Sequence, residues 1–576
     1  MPRLDGWRAA CIALVLFMAA AIGAPAQTFS TVFTFDGTNG AGPRALIQAT
    51  DGNFYGTTIG GGTGPSCGDG GGCGTFFKVT PEGTLTTLYS FCNRTACADG
   101  ANPIGGLVQG TDGNFYGVTE DVDFLPSQVL CSQRCGTVFK ITPAGVLTTL
   151  HTFDGTDGEE LMAGLVQGTD GNFYGATFVG GTQSSKCSGF GCGTLFKITA
   201  GGTLTTLHFF DGTDGYEPSE LIQGTDGNFY GTTEGGGTGG SSSCENGCGV
   251  GTVFKMTPSG VLTTLHSFNG TDGLDPAAAL VQGTDGNFYG STSAGGSGGS
   301  GTLFKITPAG KLTTLYGFFG GLGNNGFSPL VQATDGNFYG AGGYDVNGTD
   351  DSGMLFRITP AGGPLTTLYN FNDGTDGIVP ESIFQATNGT LYGVTGGGTP
   401  CDGCNSSSGT VFSLDMDLGP FVSFVRSSGH VGQTVEILGQ GFTGTTHVSF
   451  HGTSALFAVH SDSYLTAAVP AGATTGLVTV TESSGGLTSN KIFRVTPQIL
   501  SFSPTSGPDG TTVVITGESF TGATEVVFAC GKKATFTVDS DTRITATVPA
   551  GAMSGAINIV TPGGPVGSTT SFAVTP

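Results

Sequence analysis

Asp51-Gly52-Asn53-Phe54-Tyr55-Gly56, followed by Gly74-Thr75-Phe76-Phe77-Lys78-Val79-Thr80-Pro81, decides the fold because the chain repeats both phrases. The first phrase returns with its initial residue at Asp112, Asp170, Asp226, Asp285 and Asp335, and in a weaker form at Asn388. The mean spacing is about 56 residues. A fixed period of this length is typical of an array in which one supersecondary unit packs against the next.

Each repeat reads as four antiparallel strands. In the second copy these are residues 107–111, 114–117, 137–142 and 147–153. Asp112-Gly113 supplies a tight turn, because both residues tolerate positive φ, and Pro143-Ala144-Gly145 turns the third strand into the fourth. Period-two alternation, β-branched residues and aromatic residues fill these runs, without a helical period. The sequence therefore predicts an all-β fold.

The array is split between its two ends. The seventh copy stops at Leu414, before its fourth strand, and residues 28–35 supply a matching strand ahead of the first copy. A unit divided in this way allows a ring of repeats to close. We therefore predict a seven-bladed β-propeller over residues 27–417, closed by strand 28–35.

The first 26 residues have the pattern of an export signal. Arg3 and Arg8 precede an apolar run over residues 9–22, and Ala24-Pro25-Ala26 is a small-x-small cleavage site. We expect residues 1–26 to be a signal peptide and the mature protein to be secreted, extracellular or at the cell surface, without a transmembrane segment. The net charge of −24 repels phosphate backbones. Nucleic acid is therefore not an expected partner.

The cysteines agree with an oxidising compartment. Apart from Cys11 and Cys530, they fall into close pairs: Cys67 with Cys73, Cys92 with Cys97, Cys131 with Cys135, Cys187 with Cys192, Cys244 with Cys248, and Cys401 with Cys404. We predict that these pairs form local disulfides in an exported protein, with Cys530 as a free thiol. Zinc is the alternative, but it needs two pairs from different blades to converge, and no His accompanies them.

The two faces of the predicted ring differ in sequence. The Asp-Gly and Thr-Pro-x-Gly turns on one face are short and uniform, whereas the loops and blade connections on the other face vary. Variable loops on a rigid scaffold usually carry the binding residues. We expect ligand contacts from acidic residues that break the repeat, namely Glu120, Asp121, Asp123, Asp345, Asp350 and Asp351.

Two other interpretations of the acidic residues stay open. Any two of them, including Glu217 and Glu220, would form a glycosidase-like acid and base if they lay within several ångströms of each other. Alternatively, they are solvated loop residues. We do not assign catalytic residues on this pattern, and the sequence favours a protein that is not an enzyme.

Calcium is the one cofactor that the repeats suggest. Asp154-Gly155-Thr156-Asp157-Gly158 recurs from Asp211 to Gly215, which places pairs of hard oxygen ligands close together. The candidate ligands are Asp154, Asp157, Asp211 and Asp214. The alternative is that Asp and Gly build these turns for backbone reasons, and no downstream Glu completes an EF-hand-like loop.

Other repeated polar residues have structural interpretations. His151, His208 and His266 occupy a position that is Tyr elsewhere, which indicates interchangeable aromatic residues on a strand face. One repeated column is cationic, and we expect it to pair with the Asp turns, or to be solvated, rather than to bind anions: Lys78, Lys140, Lys197, Lys255, Lys305 and Arg357.

After residue 417 a new unit occurs twice, over residues 418–497 and 498–576. Val469-Pro470-Ala471-Gly472 corresponds to Val548-Pro549-Ala550-Gly551, and alternating strands predict an immunoglobulin-like β-sandwich for each copy. The opening Ser501-Phe502-Ser503-Pro504-Thr505-Ser506-Gly507-Pro508 resembles the IPT/TIG domain, and the first copy departs from it at residues 421–426. The resemblance implies two IPT/TIG domains.

The repeat region resembles the bacterial "choice-of-anchor tandem repeat GloVer" family through Thr-Asp-Gly-Asn-Phe-Tyr-Gly and Gly-Thr-x-Phe-Lys-x-Thr-Pro. That resemblance implies a bacterial protein that is secreted or at the surface. We expect a non-enzymatic binding or adhesion protein, with the propeller as recognition head for an extracellular protein or polysaccharide and the IPT/TIG tandem as spacer or partner contact. An extracellular carbohydrate-active enzyme and a structural envelope component are the alternatives.

Overall fold

The computed structural model describes residues 27–64, 72–120, 135–181, 187, 190–238, 250–319, 328–342, 352–372, 376–397, 408–483 and 485–576. The predicted signal peptide lies outside these residues. The described residues form an all-β protein whose helical segments are two single 3₁₀ turns, Thr95–Cys97 and Phe442–Gly444. None of their helices has the length and apolar character needed to cross a membrane.

The repeat region forms seven antiparallel sheets, here called blades 1 to 7 and listed from the inner to the outer strand. Blade 1 contains Ala41–Gln48, Phe54–Gly60, Thr75–Val79 and Leu85–Ser90. Blade 2 contains Val108–Gln109, Phe115–Thr119, Thr137–Ile141 and Leu147–Thr152. Blade 3 contains Val166–Gln167, Phe173–Thr177, Thr194–Ile198 and Leu204–Phe209. Blade 4 has its inner strand in two pieces, Tyr216–Pro218 and Ile222–Gln223, followed by Phe229–Gly235, Thr252–Met256 and Leu262–Ser267. Blade 5 contains Val281–Gln282, Phe288–Thr292, Gly299–Ile306 and Leu312–Phe319.

Blades 6 and 7 complete the set. Blade 6 contains Val331–Gln332, Phe338–Gly342, Met354–Ile358 and Thr366–Asn370. Blade 7 contains Ile378–Gln385, Leu391–Gly397, Thr410–Asp415 and Thr28–Thr34. In blade 7, Thr28–Thr34 pairs antiparallel with Thr410–Asp415, so the strand that starts the described chain is the outer strand of the last blade.

Two repeated contacts hold neighbouring blades together. A buried Tyr of one blade stacks on a Phe of the next, as in Tyr116 on Phe173, with ring centroids 3.9 Å apart. An inner-strand Gln also accepts a hydrogen bond from the backbone of the preceding blade; Gln109 accepts from the Thr50 N–H at 3.1 Å. This bond recurs at every junction, and the Thr387 N–H donates to Gln48 of blade 1 at 2.9 Å. The seven blades therefore form a closed ring.

One carboxylate organises the turn between the first two strands in each of blades 1 to 6. Asp112 accepts hydrogen bonds from Asn114, from the Tyr116 hydroxyl at 2.8 Å and from Lys140 Nζ at 2.8 Å. Lys255 and Lys305 pair in the same way with Asp226 and Asp285. The predicted pairing with the Asp turns is thus seen for Lys140, Lys255 and Lys305. We call the side of the ring that carries these turns the Asp-turn face.

The two C-terminal units are β-sandwiches with separate cores. The first contains Ser423–Phe424, Ser428–Gly429, Thr434–Leu438, Thr445–Phe450, Thr453–Ser454, Phe457–Ser461, Tyr464–Ala468, Val478–Glu482, Gly485–Thr488 and Arg494–Val495. The second contains Gln498–Ser503, Ser506–Gly507, Thr512–Glu518, Glu525–Ala529, Lys532–Lys533, Thr535–Ser540, Arg543–Thr547, Met553–Thr561 and Gly564–Val574.

The first sandwich packs against the Asp-turn face. Its Arg426, Gln440 and Arg494 reach three blades, where they bond to Thr111, Thr387 and the Gly224 and Thr225 carbonyls. Thr111, Thr225 and Thr387 occupy one repeat position, directly before Asp112, Asp226 and Asn388 in blades 2, 4 and 7. Contacts spread around the ring in this way place the sandwich across the axis.

Candidate functional site

A cavity of about 440 Å³ lies on the ring axis at the face opposite the Asp turns. We call this face the variable-loop face and the cavity the axial cavity. Each blade contributes the residue just before the conserved apolar residue of its inner strand, namely Ala45, Gly106, Gly164, Glu220, Ala279, Pro329 and Ser382. Ile104, Met162 and Phe178 add apolar surface.

Glu220 breaks the symmetry of the axial cavity. The other six blades have small or neutral residues at its position, whereas blade 4 places a carboxylate there. Burial raises the pKa of Glu220 to about 7. Within the described part of the chain no Lys or Arg forms an ion pair with it. A carboxyl group of this kind is half-protonated near neutral pH, which is unusual for a structural residue.

An ion pair occupies another side of the same cavity. Arg44 of blade 1 binds Glu381 of blade 7, with Arg44 Nη1 2.5 Å from Glu381 Oε1. The Arg44 Nε atom is buried and has no hydrogen-bond partner among the described residues. The pair spans the junction where the ring closes, so it both joins two blades and presents polar atoms to the axis.

A second cavity of about 400 Å³ adjoins the first, and Glu234 and Ala277 line both. We call it the acidic side cavity because Glu217, Glu234 and Asp275 line it. Burial raises the pKa of Glu234 to about 7, with the charges of Glu217 and Asp275 adding to the shift. Burial also raises the pKa of Glu217, with contributions from Glu160 and Asp275. Among the described residues, no cation forms an ion pair with Glu217, Glu234 or Asp275.

Two of the acids in the side cavity, Glu217 and Asp275, lie where the chain crosses between blades. Glu160, Glu217 and Asp275 occupy one repeat position and have φ values of 52°, 57° and 52°. At this position the chain crosses from one blade to the next; the Glu217 N–H, for example, donates to the Cys192 carbonyl at 3.1 Å. The left-handed conformation is uncommon for residues with a Cβ, and Asn102 and Val379 share it at the same position in blades 2 and 7, so it belongs to the repeated crossing.

The structure describes one of the six predicted contact residues. Glu120 lies in blade 2 at the repeat position that Glu234 occupies in blade 4, directly after the second strand. Its N–H donates to the Asn102 carbonyl. Asp121, Asp123, Asp345, Asp350 and Asp351 lie outside the described residues. Their contact with a ligand stays a prediction.

The candidate calcium ligands take part in turns. Asp154 Oδ1 accepts from the Thr156 N–H and hydroxyl, and Asp157 binds the Asp154 N–H with one oxygen and His151 Nε2 with the other, at 2.7 Å. Asp211, Asp214 and His208 repeat this arrangement. No group of three or more His, Cys, Asp or Glu that could hold a metal ion occurs in the described part of the chain. Calcium binding therefore stays a prediction.

Two predicted disulfides lie within the described residues, Cys92–Cys97 and Cys187–Cys192. Cys73 and Cys135 are disulfide-bonded as well, and their predicted partners, Cys67 and Cys131, lie outside the described residues. The remaining predicted pairs also lie outside them: Cys244 with Cys248, and Cys401 with Cys404. Cys530 is a free, exposed thiol in the second sandwich.

The sequence reasoning missed Arg44, Glu234 and Asp275, and it used Glu217 and Glu220 only in an alternative. A usable signal was present for Arg44 and Glu220, because each is charged at a position where most repeats have a small residue. Glu217, Glu234 and Asp275 occupy positions that vary between repeats, and only the closed ring shows that they line neighbouring cavities.

Two family models match the chain, and their matched residues overlap between 420 and 452. The model of the Gloeobacter/Verrucomicrobia repeat matches residues 21–244, 183–404 and 242–452, and the model of the IPT/TIG domain matches residues 420–494 and 497–575. No curated protein matches the chain.

Several solved structures share part of the architecture. A virginiamycin B lyase from Staphylococcus aureus is 13% identical, with a TM-score of 0.42 over 67% of this chain and 99% of that one. A fungal alcohol oxidase is 14% identical, with a TM-score of 0.45 over 81% and 98%. The extracellular domain of a putative hybrid two-component system from B. thetaiotaomicron is 12% identical, with a TM-score of 0.40 over 92% and 65%. At these identities no activity transfers to this chain.

Proposed function

This chain belongs to the Gloeobacter/Verrucomicrobia repeat family, and on that premise we propose that it is an exported binding protein that recognises an extracellular protein or polysaccharide at its variable-loop face. The export pattern of residues 1–26 supports the location. The IPT/TIG tandem serves as a base that presents the propeller.

One observation carries the proposal: the two ends of the ring axis differ. The first sandwich covers the Asp-turn end through Arg426, Gln440 and Arg494. The opposite end holds the axial cavity, whose lining departs from the repeat at Arg44, Glu220 and Glu381. Residues that repeat in every blade have a structural use, so recognition falls to the positions that do not repeat.

A substitution that blocks the mouth of both cavities tests this function. Ala277 is exposed and lines both, so Ala277→Trp fills the opening without entering the core. Ala144, exposed in a turn on the Asp-turn face, provides the matched control Ala144→Trp. The full chain is screened against polysaccharides and extracellular protein fractions. We expect Ala277→Trp to abolish the binding found and Ala144→Trp to preserve it; the reverse pattern contradicts the proposal.

One observation favours a second function, an extracellular carbohydrate-active enzyme. Burial raises the pKa values of Glu220 and Glu234 to about 7, and a general acid needs a proton at neutral pH. Hydrolysis of a glycoside that Glu234→Gln abolishes, while folding and ligand binding persist, would establish this alternative in place of simple binding.

A further inference from the structure

The axial cavity and the acidic side cavity adjoin each other, and we call the two together the opening; its lining has more carboxylates than cations. They share Glu234 and Ala277 in their lining. Glu217, Glu220, Glu234 and Asp275 line this opening, and Arg44, its one described cation, is paired with Glu381. Like charges gathered in a partly desolvated opening repel one another, so an arrangement of this kind is complementary to a positively charged ligand.

The distribution of the carboxylates favours an extended cation over a single metal ion. Metal coordination needs several donors around one point, and the described residues contain no such group of His, Cys, Asp or Glu. Instead, the acids come from blades 4 and 5 and follow the rim from Glu217 to Asp275, with Glu220 deeper in the axial cavity. Carboxylates spaced along the rim are matched by positive charges spaced along an extended ligand chain.

The remaining lining suits the side chains of a basic peptide. Lys and Arg have long aliphatic stems that pack on apolar surface while the charged end reaches a polar partner. Ile104, Met162 and Phe178 provide that surface in the axial cavity, and Met162 is 41% exposed. Small residues at most inner-strand positions keep the opening wide enough for a side chain to enter.

We propose that this opening receives Lys or Arg side chains from a basic segment of an extracellular partner protein, with Glu220 and Glu234 as their principal acceptors. The inference rests on the proposed function and specifies the ligand class for the same face. Ion pairs in a partly desolvated opening are stronger than those on an open surface, and electrostatic attraction also accelerates association.

Hexalysine is a simple probe for this proposal, measured by titration calorimetry with the full chain at about 0.1 M salt, where screening suppresses distant charges. The variants use residues that this chain itself has at the same repeat positions. Glu220→Ala matches Ala45 and Ala279, and Glu234→Ser matches Ser293. Glu82→Gln removes the same charge from an exposed turn on the Asp-turn face and is the matched control.

We expect hexalysine to bind, each cavity variant to weaken binding about ten-fold or more, and Glu82→Gln to change it less than about two-fold. Hexalysine with acetylated amines should not bind. Absence of hexalysine binding, or equal weakening by Glu82→Gln, would overturn the proposal. So would calcium binding that the cavity variants abolish while hexalysine binding persists. If a neutral polysaccharide binds and only Ala277→Trp blocks it, the proposed function stands and this inference fails.

Discussion

At the scale of single residues, Glu220 has a cost that its equivalents avoid. Six blades place Ala, Gly, Pro or Ser at this position, so the fold does not need a carboxylate there. Burial raises the pKa of Glu220 from its ordinary 4.5 to about 7. The folded protein therefore holds this proton more tightly than the unfolded chain does, and ionisation above pH 4.5 opposes folding.

We predict that Glu220→Ala stabilises the protein at pH 8 by on the order of 2 kcal/mol and has little effect at pH 4.5. The variant is the more stable protein at pH 8 because ionising the half-buried Glu220 costs the wild type folding free energy. That cost grows as the pH rises from 4.5 to about 7 and is absent below pH 4.5. Chemical denaturation at both pH values measures the difference. A stabilisation that is equal at both pH values, or a loss at pH 8, would contradict the assigned environment.

Replacing a polar residue that recurs in every blade should destabilise the protein, whereas replacing Glu220 should stabilise it. Gln109 is 7% exposed, accepts from the Thr50 N–H and donates to the Gly113 carbonyl. We predict that Gln109→Leu costs about 1 to 3 kcal/mol, because it leaves a backbone donor without its partner at a blade junction. Denaturant unfolding checks this, with the exposed turn variant Ala144→Ser as control. Unchanged stability would mean that the inner-strand Gln bonds between blades do not stabilise the ring.

At the scale of elements, the strand predictions depended on local chemistry and are confirmed. Asp-Gly and Pro-x-Gly fix the turns, and alternation fixes which face of each strand is buried, so the four-stranded unit follows from any one repeat. The candidate site did not follow in the same way. Asp275 and Glu217 are 58 positions apart in the chain and meet only through ring geometry, which no local pattern reports.

The outer strand of blade 7 permits a test of closure. Phe29 stacks on Tyr369 of blade 6 at 3.8 Å and contacts Phe371 and Phe412. We predict that deleting residues 28–34 exposes the edge of Thr410–Asp415 and causes association through unpaired backbone groups. Light scattering after size-exclusion chromatography measures it. A truncated protein that stays monomeric with an unchanged melting temperature would argue against the closing role of this strand.

At the scale of the whole molecule, the chain uses its two faces differently. The first sandwich occupies the uniform Asp-turn face, which the sequence analysis treated only as the face without variable loops. This docking was not predictable, because it depends on Arg494 meeting the carbonyls of Gly224 and Thr225, about 270 residues earlier. The first sandwich is thus held against the Asp-turn face, across the ring axis.

Arg494 is 5% exposed, and we predict that Arg494→Met frees the first sandwich from the Asp-turn face. Loss of these bonds leaves two carbonyls without their charged donor, so the docked arrangement should open and the radius of gyration should increase. Small-angle X-ray scattering measures this increase. Arg543→Met, at an exposed ion pair with Asp539, is the control and should leave it unchanged. An unchanged value for Arg494→Met would refute the docking.

The central claim is that the ligand binds over the ring axis at the variable-loop face. Hydrogen–deuterium exchange of the full chain, with and without the ligand that the screen selects, tests this claim most directly. The account predicts protection at the cavity lining, in residues 44–45, 162–164, 218–220 and 277–279. The Asp turns should exchange as before. Protection confined to the Asp-turn face or to the two sandwiches would contradict the account.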